Sequence, residues 1–402
     1  MRNLFVLCVA FLWMAITAIA QVGINTDNSA PDPSAILDVK SSNKGFLLPR
    51  MTHVQINSIA NPVNGLFVYC TDCGINGNGG FLGYNNGVWN LMTSCILPPA
   101  STSGINSPSS YDITWNWNAV EGATGYKWNS ANNYSNATDM GTAISMTEFG
   151  LDCGNSYTRY VWAYNSCGVS VSAVLIQSTN SCPANCQPLT DSRDGKIYRT
   201  RLIGDQCWMK ENLNVGTKIN APTYQTDNDL IEKYCYNNSE SNCAIYGGLY
   251  QWDELMNYST SSNSNPSGRQ GICPYGWHIP SDAEWCQLET YLDESVNCSI
   301  TGWRGTDAGG KMKSRGTIQL ENGLWNTPNE GATNFSGFTA LPGGNWDTPS
   351  NFSNLSIYAV FHTSTEYDPS NALRRDLLYM LKLTGKFWGN KELSCSARCV
   401  KD

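Results

Sequence analysis

Cys273-Pro-Tyr-Gly-Trp-His-Ile-Pro-Ser-Asp-Ala-Glu-Trp285 is a turn that runs into a tightly specified helix start. In Cys273-Pro274-Tyr275-Gly276 the proline fixes one φ and the glycine accepts a positive one. Ser281 stands three residues before Glu284, the spacing of a capping box. The serine hydroxyl accepts from the Glu284 amide while the Glu284 carboxylate reaches back to the Ser281 amide. Pro280 disfavours helix upstream, because its ring removes a donor and crowds the preceding turn. Beyond the cap, Trp285, Leu288 and Leu292 fall at i, i+3 and i+7 and make one apolar stripe facing a core. This is scaffold rather than chemistry.

Around it, Asp191-Ser-Arg-Asp-Gly-Lys-Ile-Tyr198, Ile203-Gly-Asp-Gln-Cys-Trp-Met-Lys-Glu-Asn-Leu213, Tyr246-Gly-Gly-Leu-Tyr-Gln-Trp252, Gly337-Phe-Thr-Ala-Leu-Pro-Gly-Gly344, Ser364-Thr-Glu-Tyr367 and Arg398-Cys-Val-Lys-Asp402 flank the turn in order. This series resembles the Fibrobacter succinogenes major paralogous domain of bacterial surface and secreted proteins, over residues 187–402. That family is similar to the formylglycine-generating proteins, so the resemblance implies an α+β, C-type-lectin-like fold and no general activity. It also implies a bridge from Cys273 to one of Cys395 or Cys399. The formylglycine-generating enzymes use a redox-active cysteine pair upstream of the final strand. Here no cysteine lies between Cys298 and Cys395, so that motif is absent.

The chain has 402 residues, too many for one core. Charged residues are only 14%, and Asn, Ser, Thr, Gly and aromatics are abundant, a balance that suits β-rich extracellular domains. A net charge of −8 without any basic stripe argues against nucleic acid, which requires clustered Lys and Arg. Arg2, the apolar run Leu4 to Ile19 and Ala18-Ile19-Ala20 read as a signal peptide over 1–20. No later run is apolar enough to span a membrane. The expectation is a secreted or cell-surface protein.

Its cysteines then read as disulfide material. Cys153–Cys167 and Cys235–Cys243 are the expected local pairs, each framing a turn; sixteen cysteines, fifteen once residues 1–20 are cleaved, leave one thiol free or paired to another chain. Zinc is the competing reading for Cys70-x-x-Cys73 and Cys182-x3-Cys186, but neither has a partner pair at finger spacing.

Residues 21–95 alternate short β-prone runs with Asn/Gly turns, and Asn86-Gly87 is a hairpin signal. The segment resembles tail-fibre-like and adhesin-like modules; homo-oligomerisation through so thin a segment is one reading, and a small β domain packed on its neighbour is the other. Residues 96–181 alternate as strands around Trp115, Tyr126 and Tyr160-Val-Trp-Ala-Tyr164. They are similar to a fibronectin type III sandwich, which implies core roles for Trp115 and Tyr126 and a tyrosine corner at Tyr157 after Leu151. Such modules mostly act as spacers. Residues 182–186 read as a linker. Asp194-Gly195 is a type I′ turn signal inside the next hairpin. The fold class is therefore multidomain and mainly β: a small β segment, a sandwich, and a C-type-lectin-like terminal domain.

Chemistry is sparse. There are three histidines, no G-x-S-x-G elbow, and His278 reads as structural. A non-catalytic protein is expected. Thr327-Pro328-Asn329 is similar to the E-P-N loop of sugar-binding lectins, with Thr in place of the glutamate. No cofactor is expected; calcium held by Asp307, Glu330 and Asp347 is the alternative, as lectin-like loops offer carboxylate oxygens. Aromatics in loops, Trp303, Trp325, Trp346, Tyr367 and Trp388, are candidates for stacking on sugar rings, with Trp346 expected to be exposed. Phe361-His362 before Ser-Thr-Glu-Tyr places His362 on the same candidate face as Trp346, Trp325 and Tyr367. The expected function is binding or adhesion to a surface glycan or protein. A polysaccharide-active enzyme and a structural envelope protein are the alternatives.

Overall fold

The computed structural model describes residues 21–73, 79–92, 96–347 and 351–402. The signal-peptide expectation lies outside these residues. The described chain divides into two compact units, one ending at Ile96 and one running from Leu97 to Asp402.

In the first unit, strands Arg50–Met51, Phe67–Cys70, Gly80–Asn85 and Val88–Leu91 form one sheet in that order. Asn86 (φ 51) and Gly87 (φ 82) both take positive φ, as the two-residue turn between Asn85 and Val88 requires. Val68, Cys70 and Leu82 are buried on one face against Ile56 of the short helix His53–Asn57. The other face leaves Phe67 and Phe81 exposed. The zinc reading of Cys70 and Cys73 fails here, because the two are bonded to each other.

The second unit opens with a fibronectin type III-like sandwich. A three-stranded sheet (Ser145–Glu148, Ile113–Asn116, Ser107–Pro108) faces a five-stranded one built around Ser156–Asn165. Trp115, Tyr126, Leu151, Val161 and Leu175 fill the space between. Tyr157 makes the expected corner, its hydroxyl accepting from the Asp152 amide at 2.8 Å. Trp115 Nε1 donates to buried Glu148, which Arg159 holds from two sides at 2.8 and 2.6 Å.

In the terminal domain, Ser281 and Glu284 form the capping box and the helix runs Asp282–Leu292. Trp285, Leu288 and Leu292 are buried beside Trp208, Phe338 and Phe361. Gly276 takes φ +78 in the preceding turn, and Trp277–His278 joins a four-stranded sheet against Val400–Lys401. His278 is clasped on both sides, Nε2 2.6 Å from Glu284 and Nδ1 2.6 Å from Asp402. The main sheet has six strands: Leu249–Tyr250, Cys395–Ser396, Tyr358–Asp368, Asn371–Leu378, Thr384–Asn390 and Gly302–Arg304. Asp194-Gly195 is not a type I′ turn. Strands Leu189–Thr190 and Ile197–Tyr198 are separated by a wider loop in which Gly195 (φ 72) alone turns left-handed.

Six disulfides join described residues at both ends. Cys235–Cys243 and Cys273–Cys399 are among them, which leaves Cys395 as a buried free thiol. The pair Cys153–Cys167 does not form. Cys153 closes on Cys182 instead, and Cys167 is bonded elsewhere. The reason is topological: the strand Ala173–Ser178 returns alongside Ser156–Asn165 and carries Cys182 back to the corner loop.

The linker reading of 182–186 also changes. Cys182 is bonded into the sandwich and Cys186 to Cys207 of the terminal domain. The sandwich is no free spacer, because charged and aromatic groups dock it. Asp152 takes Arg199 at 2.7 Å and also pairs with Lys210, whose ammonium is buried. The Arg201 guanidinium covers the Tyr111 ring at 4.0 Å, the Tyr111 hydroxyl accepts from the Leu202 amide, and Phe149 packs on Phe335.

Candidate functional site

One face of the six-stranded sheet floors a cleft of about 430 Å³. Strand register explains its membership. Asp376 pairs with Val360 and Gly385, Arg374 with His362 and Phe387, and Gly385 with Trp303, so these side chains share a face. The hairpin Gly343–Asp347 and Asn351–Leu355 supplies the wall through Asn345, Asp347, Ser353 and Asn354.

Half-buried Trp303 and Phe387 meet edge to face at 5.4 Å, and Tyr358 stands across the cleft, beyond the strand Asn371–Leu378. Beside them Arg374 Nε lies 3.2 Å from Asp376 Oδ1, and Nη2 donates to Oδ2 at 3.2 Å. Burial pushes Asp376 up to about 6, although Arg374 and Arg375 pull it down. Asn354 Nδ2 donates to Asn345 Oδ1 at 2.7 Å, which orients both amides.

Buried on the same face of the sheet, His362 Nε2 donates to the Leu393 carbonyl at 2.7 Å. Burial, with Arg374 adding repulsion, holds His362 down to about 4, so it stays neutral with Nδ1 unpartnered. Cys395 packs with Val360 and Leu393, and burial pushes its thiol far above the ordinary range. A neutral buried thiol is a poor nucleophile.

The expected ligand residues fare unevenly. Trp346 is 1% exposed and packs on Tyr234 at 4.6 Å. Strand alternation is the cause: Asn345 and Asp347 turn to the cleft, so Trp346 turns to the core. Trp325 is wholly buried, its Nε1 donating to Ser314 and to the Ala340 carbonyl. His362 is 2% exposed: it shares the cleft face with Val360 and Arg374 but is buried there, bonded to the Leu393 carbonyl. Tyr367 is exposed and stacks on Trp388 at 5.6 Å. Trp388 alternates with Phe387, which places that pair off the cleft face.

Asp307, Glu330 and Asp347 do not assemble into a metal set. Asp307 pairs with Lys311 one helical turn on, and Asp347 alone reaches the cleft. Among the described residues the one group of three with ligand spacing is His53, Cys70 and Cys73, and its cysteines are spent in a disulfide.

Sequence reasoning missed Arg374, Asp376, Phe387 and Tyr358. The available signal was the alternation Arg374-x-Asp376 within a strand, which places two opposite charges on one face. Chemically, the cleft offers ring faces for C–H surfaces and a guanidinium, carboxylates and amides for hydroxyl groups.

Residues 202–401 match the family model of the Fibrobacter succinogenes major domain, and residues 23–110 that of a phage tail like trimerisation region. The chain carries both. No curated protein matches it. Solved structures similar to part of the chain are fibronectin type III domains. The sixth such domain of human fibronectin type III domain containing protein 3 is 18% identical, covering 22% of this chain and 90% of that one at a TM-score of 0.19. The FN5 domain of Drosophila Lar is 17% identical, covering 21% and 99% at a TM-score of 0.18.

Proposed function

We propose that this chain, a Fibrobacter succinogenes major domain carried behind a trimerisation region and a fibronectin type III-like sandwich, is a non-catalytic adhesion protein of the cell surface that binds a glycan in the Trp303–Asp376 cleft. One observation carries the reading: half-exposed rings of Trp303, Phe387 and Tyr358 converge with Arg374, Asp376, Asn345 and Asp347. That mixture of ring faces and fixed polar groups is what carbohydrate recognition demands. Buried Cys395 and neutral His362 support a binding role over nucleophilic chemistry. The six disulfides between described residues fit an oxidising, extracellular setting. No helix among the described residues is long and apolar enough to cross a membrane.

Display in several copies fits the first unit. Of 34 exposed large hydrophobic residues among those described, 14 lie within Val22–Ile96, a short stretch with a four-residue buried core. A sheet covered on one face only gains from burying the other against further copies. Linking copies raises avidity without any new contact.

The test is a glycan array on the full chain, with and without EDTA, followed by calorimetry. Trp303→Ala is expected to weaken the best glycan about tenfold, or roughly 1.4 kcal/mol, with EDTA making no difference. Binding abolished by EDTA would restore the calcium alternative. No glycan bound would sink the reading. Release of reducing sugar would convert it to the enzymatic alternative, with Asp347 and Asp376 as the carboxylates.

A further inference from the structure

A second cleft, of about 470 Å³, opens in the terminal domain on other elements: the strand Ile197–Tyr198, the strand Glu232–Lys233 and the helix Glu240–Tyr246. Two ammonium groups meet at its end. Lys233 Nζ donates to the Asn214 carbonyl at 2.9 Å and to Asn214 Oδ1 at 2.7 Å. Lys196 Nζ donates to the same carbonyl at 2.7 Å. Lys233 is only 8% exposed, yet no carboxylate lies within ion-pair distance of it among the described residues. An ammonium has three donors, and Asn214 takes two of them.

The groups facing Lys233 are Lys196, Glu240 and Asp194. Burial and then Lys196 pull its pKa down, against Glu240 and Asp194. Asp194 is engaged by Lys196 at 3.3 Å, and Glu211, also at the cleft, by Arg199 at 2.5 Å. A nearly buried cation with a spare donor is thus left facing open space, a state that an incoming anion relieves. The rest of the lining is mixed: the Asn212 amide is spent on Tyr246, Ser396 and Arg398, Glu240 adds a carboxylate, and the apolar part is Ile197 and Ile245, 68% and 48% exposed on the lip, with Ala244 and Leu341.

We propose that this cleft captures the C-terminal carboxylate of a partner polypeptide that ends in an apolar residue. The carboxylate takes the free donors of Lys233 and Lys196, and the last side chain lies between Ile197 and Ile245. Capture of a chain terminus by fixed donors beside an apolar pocket is an established mode of peptide recognition.

The experiment is fluorescence anisotropy with the full chain and labelled decapeptides ending in leucine, as free acid or as amide. The free acid is expected to bind at least tenfold tighter, the size of one charge-assisted hydrogen bond. Lys233→Met is expected to abolish that preference. Ile245→Asp, on the exposed lip, tests the site without disturbing the Asn214 contacts. It is expected to weaken the peptide at least tenfold with unchanged melting temperature and unchanged glycan binding at the Trp303 cleft. Equal binding of acid and amide, or of neither, overturns the proposal. So does tighter binding by trigalacturonate or octanoate, which would assign the carboxylate to another source.

Discussion

His278 and His362 are both buried, and their surroundings push them in opposite directions. For His278, burial is the largest single influence and pulls the pKa down, but Glu284 and Asp402 together outweigh it and hold it above the ordinary value. A group raised on folding stabilises fully below its unfolded pKa, near 6.5, and loses that contribution as pH climbs through the folded value. For His362, burial holds the folded value at about 4. Between about 6.5 and 4 the unfolded chain takes a proton that the folded chain refuses, so stability falls as pH falls, by about 3 kcal/mol in all. Urea unfolding at pH 4.5, 5.5, 6.5 and 8 separates them. His362→Gln should flatten the acid limb, and His278→Gln the decline above pH 6.5. Unchanged slopes in either variant would remove that histidine from the account.

At the scale of elements, the helix Asp282–Leu292 hangs on its cap. Ser281 is wholly buried, and its hydroxyl accepts from the Glu284 amide at 3.2 Å while donating to the Ser264 carbonyl at 2.7 Å. Ser281→Ala should cost about 1–2 kcal/mol, since the Glu284 amide is left unpaired in a dry site. A loss below about 0.3 kcal/mol by denaturant titration would show that the Glu284 carboxylate alone holds the end. This element was legible in the sequence, as was the Asn86-Gly87 hairpin, because residues within four positions decide both. The cleft was not. Trp303, Arg374 and Phe387 are joined only by strand pairing, and no local pattern reveals that register. Trp346 shows the same limit within a single strand. Gly343–Asp347 plainly alternates, but which side is core depends on Tyr234, more than a hundred residues earlier. Cys153 was misassigned for a like reason, its partner arriving on a returning strand.

For the whole molecule, the joint between sandwich and terminal domain is the feature that sequence composition disguised as a linker. Lys210 is 6% exposed and depends on Asp152, with burial lowering its pKa against that pairing. Asp152→Asn removes the countercharge and should destabilise the second unit by about 3 kcal/mol, because a buried charge left alone is costly. Thermal unfolding checks the size. Small-angle scattering checks whether the two domains then tumble apart, and a scattering curve and stability both unchanged would mean the ion pair is idle. Oligomerisation also belongs to this scale, since the first unit leaves one sheet face bare.

The two bridges that end at Cys182 and Cys186 have a mechanical consequence. Only Pro183, Ala184 and Asn185 lie between them. Fully stretched, that strap spans about 14 Å between the two bridged cysteines. Under tension the docked surfaces can peel, yet the slack released is only the difference between that span and the resting separation, and each end is covalently clamped into a folded domain. A tethered ligand pulling on the terminal domain would therefore meet a short, stiff leash. Further extension must come from unfolding a domain, so a load on the terminal domain reaches the sandwich nearly undamped.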